Sequence, residues 1–174
     1  MNEQKILITY FSRASENKIV GDVLTGNTEL LAKMIAKKTK GDLFRIEPID
    51  SYPESFQATY ERAGKEKDLG ILPGIKHNVE NLNDYDVIFL GYPIWRNDLP
   101  MIINNFIKSY DFSGKTIVPF CTHEGSKNAG TYQKIQSFLP DAKVIGGGYN
   151  IKGSKVRTEK GRKQTLFWLD FFGF

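Results

Sequence analysis

The chain has 174 residues, 40% of them apolar and 25% charged, a balance that suits one globular domain spanning residues 1–174 and excludes wholesale disorder. The single cysteine, Cys121, excludes an internal disulfide framework and a multi-cysteine zinc site, and no apolar run reaches the ~18 residues of a membrane-spanning helix. The net charge of +4 is local: residues 152–163 hold six basic side chains and one acid, so this stretch carries +5 and the remainder −1. Aromatics follow that patch rather than interleave with it, which argues against nucleic-acid binding. Met1-Asn2-Glu3-Gln4-Lys5 lacks the features of a secretion signal, so a cytoplasmic protein is expected.

In chain order the pattern alternates strand and helix. Ile6-Leu7-Ile8-Thr9-Tyr10-Phe11 is a short, β-rich and largely apolar run, as a strand covered on both faces reads. Leu30, Leu31, Met34, Ile35 and Lys38 follow helical spacing, with Gly26-Asn27-Thr28 as the start signal. Residues 42–47 alternate like an edge strand, and residues 54–68 form a polar helix ending near Gly70. Asp86-Val87-Ile88-Phe89-Leu90-Gly91 is the clearest strand. A helix follows, with Asp98 near its cap, Pro100 in its first turn and Ile102, Ile103, Phe106 and Ile107 on one side. Residues 116–121 make a fourth strand despite Pro119, which lacks a ladder donor. Tyr132 to Leu139 is a helix, Ala142 to Ile145 a weak fifth strand, and residues 158–172 a terminal helix. Five strands alternating with five helices predict an α/β protein with a parallel sheet, right-handed crossovers and helices on both faces.

In such a sheet the ligand lies beyond the carboxyl ends of the strands, where strand order reverses. Three loops are therefore the candidate site. The first, residues 12–26, opens a helix whose free N–H groups and positive dipole end suit a phosphate. Ser12, Asn27 and Thr28 add short donors, and Gly26 permits close backbone approach. Gly21 to Thr28 has the spacing of a nucleoside-triphosphate loop, but Asn27 replaces its lysine and Gly21 stands too far from the strand end, so that reading is rejected. The second loop, Tyr92 to Asp98, carries Tyr92 and Trp95, rings able to sandwich a flat ligand. The third, Thr122 to Gly130, is polar and rich in backbone donors. His123 in it reads as a hydrogen-bonding residue rather than an acid–base catalyst, and no paired-histidine spacing suggests a metal. Cys121 reads as a small apolar filler.

Together Tyr10-Phe11-Ser12-Arg13, Gly26-Asn27-Thr28, Tyr52-Pro53, Leu90-Gly91-Tyr92-Pro93-Ile94-Trp95, Asp111-Phe112-Ser113-Gly114-Lys115-Thr116 and Pro119-Phe120-Cys121-Thr122 resemble the flavodoxin family, in particular its short bacterial flavodoxin-like branch. The resemblance covers roughly residues 5–150. It implies a three-layer αβα fold, a five-stranded parallel sheet of order 2-1-3-4-5, non-covalent FMN and electron transfer. On this resemblance Ser12, Asn27 and Thr28 hold the FMN phosphate, with Gly26 and Arg13 counted among the cofactor-binding residues beside them. Pro93, Ile94 and Trp95 flank the flavin ring, Tyr92, Arg96 and Asn97 belong to the same cofactor-binding loop, and Thr122, His123, Glu124, Gly125 and Ser126 wrap the ring's other edge. No protein group is assigned as catalytic, because the chemistry belongs to the cofactor.

Three features depart from the family. Residues 14–25 separate the two halves of the phosphate loop, either lengthening it or folding over the ligand, Arg96-Asn97 stands where the family often has a glycine, and the chain is not acidic. The expected function is an FMN-binding redox protein that carries electrons between partners, a redox partner protein or a small electron acceptor, through its non-covalently bound flavin. The alternatives are an NAD(P)H-dependent quinone or flavin reductase and a non-redox binding module without FMN. The aromatic terminal helix offers a face for packing on the sheet, for a second copy in a homodimer, or for an anionic membrane surface beside the basic stretch 152–163.

Overall fold

Along the first strand, β1 (Ile6–Tyr10), successive side chains alternate between two cores. Leu7 and the following Phe11 enter one, and Ile8 and Tyr10 the other. A strand with no solvated face needs cover on both sides, and this requirement organises the chain. The structure, a computed structural model, describes residues 4–174, so most of the N-terminal stretch read above as lacking a secretion signal lies outside the described residues.

After β1 the chain makes a two-stranded antiparallel hairpin, β2 (Ser15–Asn17) and β3 (Gly21–Val23), within the loop 12–26. Then come α1 (Asn27–Thr39), the strand β4 (Asp42–Arg45) and α2 (Phe56–Leu69). β5 (Val87–Pro93), α3 (Met101–Ser109), β6 (Thr116–His123) and α4 (Thr131–Phe138) follow. The chain closes with β7 (Lys143–Val144), β8 (Tyr149–Lys152), the short α5 (Gly153–Val156) and α6 (Glu159–Phe171). The main sheet runs β4-β1-β5-β6-β7, all parallel, with β8 also paired to β6. Helices α1 and α6 bury Leu31, Ile35, Trp168 and Leu169 on one face, while α3 and α4 bury Ile102, Phe106 and Ile135 on the other. This is the expected three-layer α/β fold in order 2-1-3-4-5.

Eight strands replace the expected five for two reasons. The hairpin is one. The other is a break in the fifth strand: β7 pairs with Thr116 and Ile117, and β8 resumes with Phe120 to His123. Ile117 O accepts from Ile145 N on the outer strand, so odd-numbered residues of β6 face outward and Pro119 has no N–H to offer there. The neighbouring Gly148 lies so close that a Cβ would meet Pro119 O at 2.5 Å and Tyr132 Cε2 at 2.9 Å. The glycine run 146–148 thus skirts the proline, and the sheet tolerates it.

Helix boundaries agree closely with the sequence pattern, with one correction. Asp98 lies near the cap of α3 as expected, but Pro100 is the N-cap itself and not a first-turn residue. The Asp98 carboxylate accepts from Leu99 N and from Lys134. In α6, Phe167 and Phe171 remain 73% and 75% exposed, so only part of the terminal aromatic run packs on the sheet. Among the described residues no helix is long and apolar enough to cross a membrane.

Candidate functional site

The carboxyl ends of β1, β5 and β6 meet at a cavity of about 400 Å³, a size suited to a small cofactor. All three candidate loops reach it. Ser12, Arg13, Asn27, Thr28, Pro93, Ile94, Trp95, Arg96, Asn97 and Thr122 through Ser126 line it.

At one end stands the N-terminus of α1. Its N-cap, Gly26, has no side chain to cap with, and Ser12 from the end of β1 does so instead: Ser12 Oγ accepts from Glu29 N at 3.0 Å. The Ser12 O–H stays available as a donor, as do the N–H groups of Asn27 and Thr28, which precede the first intrahelical bond. Gly26 does not line the cavity but lies beneath it. A Cβ there would meet Ser12 Oγ at 2.3 Å and Arg13 O at 2.5 Å, so glycine is what allows the strand end to approach the helix. Thr28 Oγ1 and Thr122 Oγ1, 2.8 Å apart, tie the first loop to the third.

Arg13, counted among the cofactor-binding residues, lines the cavity but spends its side chain elsewhere. Its guanidinium donates to Pro53 O at 2.9 Å and to Glu54 O and Glu16 O, so its donors are committed to backbone carbonyls. It laces the hairpin to the start of α2. Glu16 completes the seam, its N–H donating to Glu54 O and its carboxylate accepting from Phe56 N at 2.7 Å. Through this seam Asn17 and Lys18 of the hairpin, with Phe56, Thr59, Tyr60 and Ala63 of α2, form a wall absent from the sequence-based site. Gly153, before α5, also reaches the cavity. The hairpin had a faint signal, a three-residue loop closed by Gly21 at φ +72°.

The second loop forms the aromatic end. Trp95 is wedged edge-on against Phe11 and Tyr52, with ring centroids 5.2 and 4.9 Å away. Tyr52 is itself fixed by its O–H to Glu66 at 2.7 Å and by the Arg62 guanidinium 4.1 Å over its ring. The wall at Trp95 is therefore rigid. Tyr92 does not share it. It is 0% exposed, faces the α3–α4 core and donates its O–H to Thr131 Oγ1, so its ring cannot flank a ligand.

Arg96 and Asn97 form a two-residue hairpin, both with positive φ, closed by paired hydrogen bonds between Trp95 and Asp98. An arginine at φ +53° is held there by its guanidinium, 4.3 Å over Tyr60, and by Lys67 Nζ donating to Arg96 O at 3.0 Å. Burial would raise the Asp98 pKa, but hydrogen bonds from Lys134 and Leu99 N, with the charges of Lys134 and Lys67, outweigh it and hold the carboxyl below its ordinary range.

In the third loop Gly125 N donates to His123 Nδ1, so the proton resides on Nε2 and points to Asn150 Oδ1, 3.2 Å away. Burial, together with the charges of Lys152 and Lys127, lowers the His123 pKa against the opposing hydrogen bond to Asn150, so the ring is neutral at pH 7. Both ring nitrogens are thus engaged in hydrogen bonds to neighbouring segments. Burial raises the Glu124 pKa, countered by a hydrogen bond from Ser154 N and the charges of Lys152 and Lys18. Cys121, buried beneath, has its thiol pushed up to about 12 by burial, as an inert filler should.

A parallel sheet of this order, with a helix terminus and an aromatic loop facing each other across its carboxyl edge, defines the flavodoxin-like class of α/β proteins. A family model described as flavodoxin matches residues 5–164, and the chain belongs to that family. Among solved structures it is similar to a candidate flavoprotein from Bacteroides eggerthii, with 31% identity, 99% of each chain covered and a TM-score of 0.77. A candidate flavoprotein from Bacteroides uniformis follows at 29% identity, covering 95% of this chain and 99% of that one, with a TM-score of 0.76. A Lactobacillus acidophilus flavoprotein in complex with FMN shares the fold at 19% identity, covering 88% of this chain and 97% of that one, with a TM-score of 0.68. Comparison with the curated proteins finds no significant match.

Proposed function

We propose that the chain binds FMN without a covalent link and carries electrons between a donor and an acceptor, either a redox partner protein or a small molecule. The observation that carries this reading is a single cavity with an anion-ready helix terminus at one end and a braced indole at the other. The donor set fits the cofactor: free N–H groups of Asn27 and Thr28 and the Ser12 hydroxyl suit a phosphate, and Trp95 suits a planar ring. Similarity to an FMN complex supports it.

Bound flavin would supply the redox chemistry, and the chain's part is to hold and tune it. The amides at the start of α1 neutralise phosphate charge without a lysine. Trp95, unable to recoil against Phe11 and Tyr52, fixes the plane of the ring. The apolar wall disfavours an extra negative charge beside it, because such a charge is poorly solvated there. His123 holds Gly125 N through Nδ1 and so shapes the loop that wraps the far edge.

A reductase taking electrons from a nicotinamide nucleotide is the second reading. Lys18 and Arg96 on the cavity wall favour it, since both suit an anionic co-substrate. Purification with added FMN tests the first reading: bound-flavin absorption and tighter binding of FMN than riboflavin support it, and a colourless protein refutes it. Steady-state NADPH oxidation with a quinone would move the assignment to the reductase. Loss of flavin binding with the fold intact would instead support a non-redox module.

A further inference from the structure

The basic stretch that follows β8 sends one side chain back across the molecule. Arg157 Nε donates to Asn27 Oδ1 at 2.8 Å, and its terminal nitrogen donates to Thr25 O. A guanidinium has donors only, so the Asn27 amide oxygen must be the atom that faces it and the NH2 must point the other way. That NH2 lies against Gly153, where an added Cβ would sit 2.3 Å from it, and both Asn27 and Gly153 line the cavity. Asn27 is itself nearly buried.

Arg157 is placed firmly. Val156 is buried among residues of α1 and α6, and Thr158 donates through N and Oγ1 to Lys155 O. A Cβ on Gly161 would meet that same carbonyl at 2.0 Å, so the turn between α5 and α6 closes tightly. Meanwhile Arg13, the arginine of the first loop, is committed to carbonyls.

We propose that Arg157 is a positioning residue of the phosphate end: it locks the Asn27 amide with its NH2 toward the anion and adds a positive charge beside that amide. This rests on the FMN reading, which it deepens by explaining how a neutral loop would discriminate a phosphorylated from an unphosphorylated flavin.

The test is titration of FMN and of riboflavin, followed by fluorescence quenching, into the wild type, Arg157→Ala, Arg157→Lys, Asn27→Ala and the Arg157→Ala/Asn27→Ala double variant. Arg157→Ala is expected to weaken FMN about tenfold, the scale of one hydrogen bond to a charged group, and to leave riboflavin unchanged. Arg157→Lys should recover part of the loss, because charge returns without the fixed fork. In the Asn27→Ala background the loss on removing Arg157 should shrink, and the urea midpoint of apo Arg157→Ala should match the parent.

Equal weakening of both flavins would mark Arg157 as merely structural and overturn the proposal, as would unchanged FMN binding. An undiminished tenfold loss in the Asn27→Ala background would show that Arg157 does not act through Asn27. If the wild type itself holds FMN no better than riboflavin, the phosphate reading fails and the role of Arg157 fails with it.

Discussion

Replacing Gly26 by alanine isolates the close approach on which the phosphate end depends. The backbone there, φ −67° and ψ 157°, suits any residue, so the substitution carries no dihedral penalty. The cost is steric. The new methyl would lie 2.3 Å from Ser12 Oγ, 2.5 Å from Arg13 O and 2.9 Å from Arg13 C, when even close carbon–oxygen contacts need about 3.3 Å. Ser12 can rotate away only by releasing Glu29 N, a lost cap of about 0.5–2 kcal/mol. The Arg13 carbonyl can move only with its backbone, which the guanidinium ties to residues 53 and 54. Overpacking of this kind costs about 1–3 kcal/mol. Together about 2–4 kcal/mol should be lost, a large part of a domain's ~5–15 kcal/mol. Urea unfolding of the apo protein measures this, and FMN titration should show binding weakened at least ~10-fold as the Ser12 hydroxyl leaves its place. Gly21→Ala is the control, since nothing lies within 4 Å of its Cβ. Its positive φ should cost about 1 kcal/mol with FMN affinity unchanged. Parental stability and affinity in Gly26→Ala would refute the tight junction and the site built on it.

Trp95→Ala should weaken FMN and riboflavin alike, by roughly tenfold, and restore flavin fluorescence, because the indole meets the ring they share. Unaltered quenching in a titration would remove Trp95 from the site. Asp98→Asn should flatten the acid limb of stability. The native carboxyl has a depressed pKa, so its contribution is present above the unfolded value of about 3.9 and is lost as pH falls through the lower folded value. Urea midpoints from pH 7 down to pH 3 check this, and parallel curves for variant and parent would contradict it. Gly148→Ala should lower stability by about 1–3 kcal/mol through contact with Pro119 and Tyr132, seen as a drop in thermal midpoint. An unshifted midpoint would show that the strand break has room to spare.

What the sequence made legible was local. The Gly26-Asn27-Thr28 start, the largely apolar β1 and β5, and an aromatic in a loop after a strong strand are short-range signals, and each landed at the cavity. Tyr92 was misplaced although its parity was available: Ile88, Leu90 and Tyr92 alternate onto one face of β5 and enter the same core. Arg13 sits beside Ser12 in sequence with no role legible there, and only the fold brings Pro53 O and Glu54 O to its guanidinium. Pro119 looked like an obstacle to a central strand until the break between β7 and β8 showed that no partner requires its missing N–H. Periodicity marks elements, but not which neighbour each element leaves unpaired. The α2 wall escaped for the same reason, since a polar helix gives no hint that Phe56 and Tyr60 line the cavity.

The contact between Asn27 and Arg157 spans 130 residues, and Gly153 approaches the same amide from late in the chain. During synthesis, β1, β5 and β6 can emerge and pair long before the segment beyond β8 leaves the ribosome. Until then the anion end of the cleft lacks its last wall. The cavity is thus a product of the finished fold: its Asn27 end is assembled from segments 130 residues apart, and β1, β5 and β6 alone do not complete it.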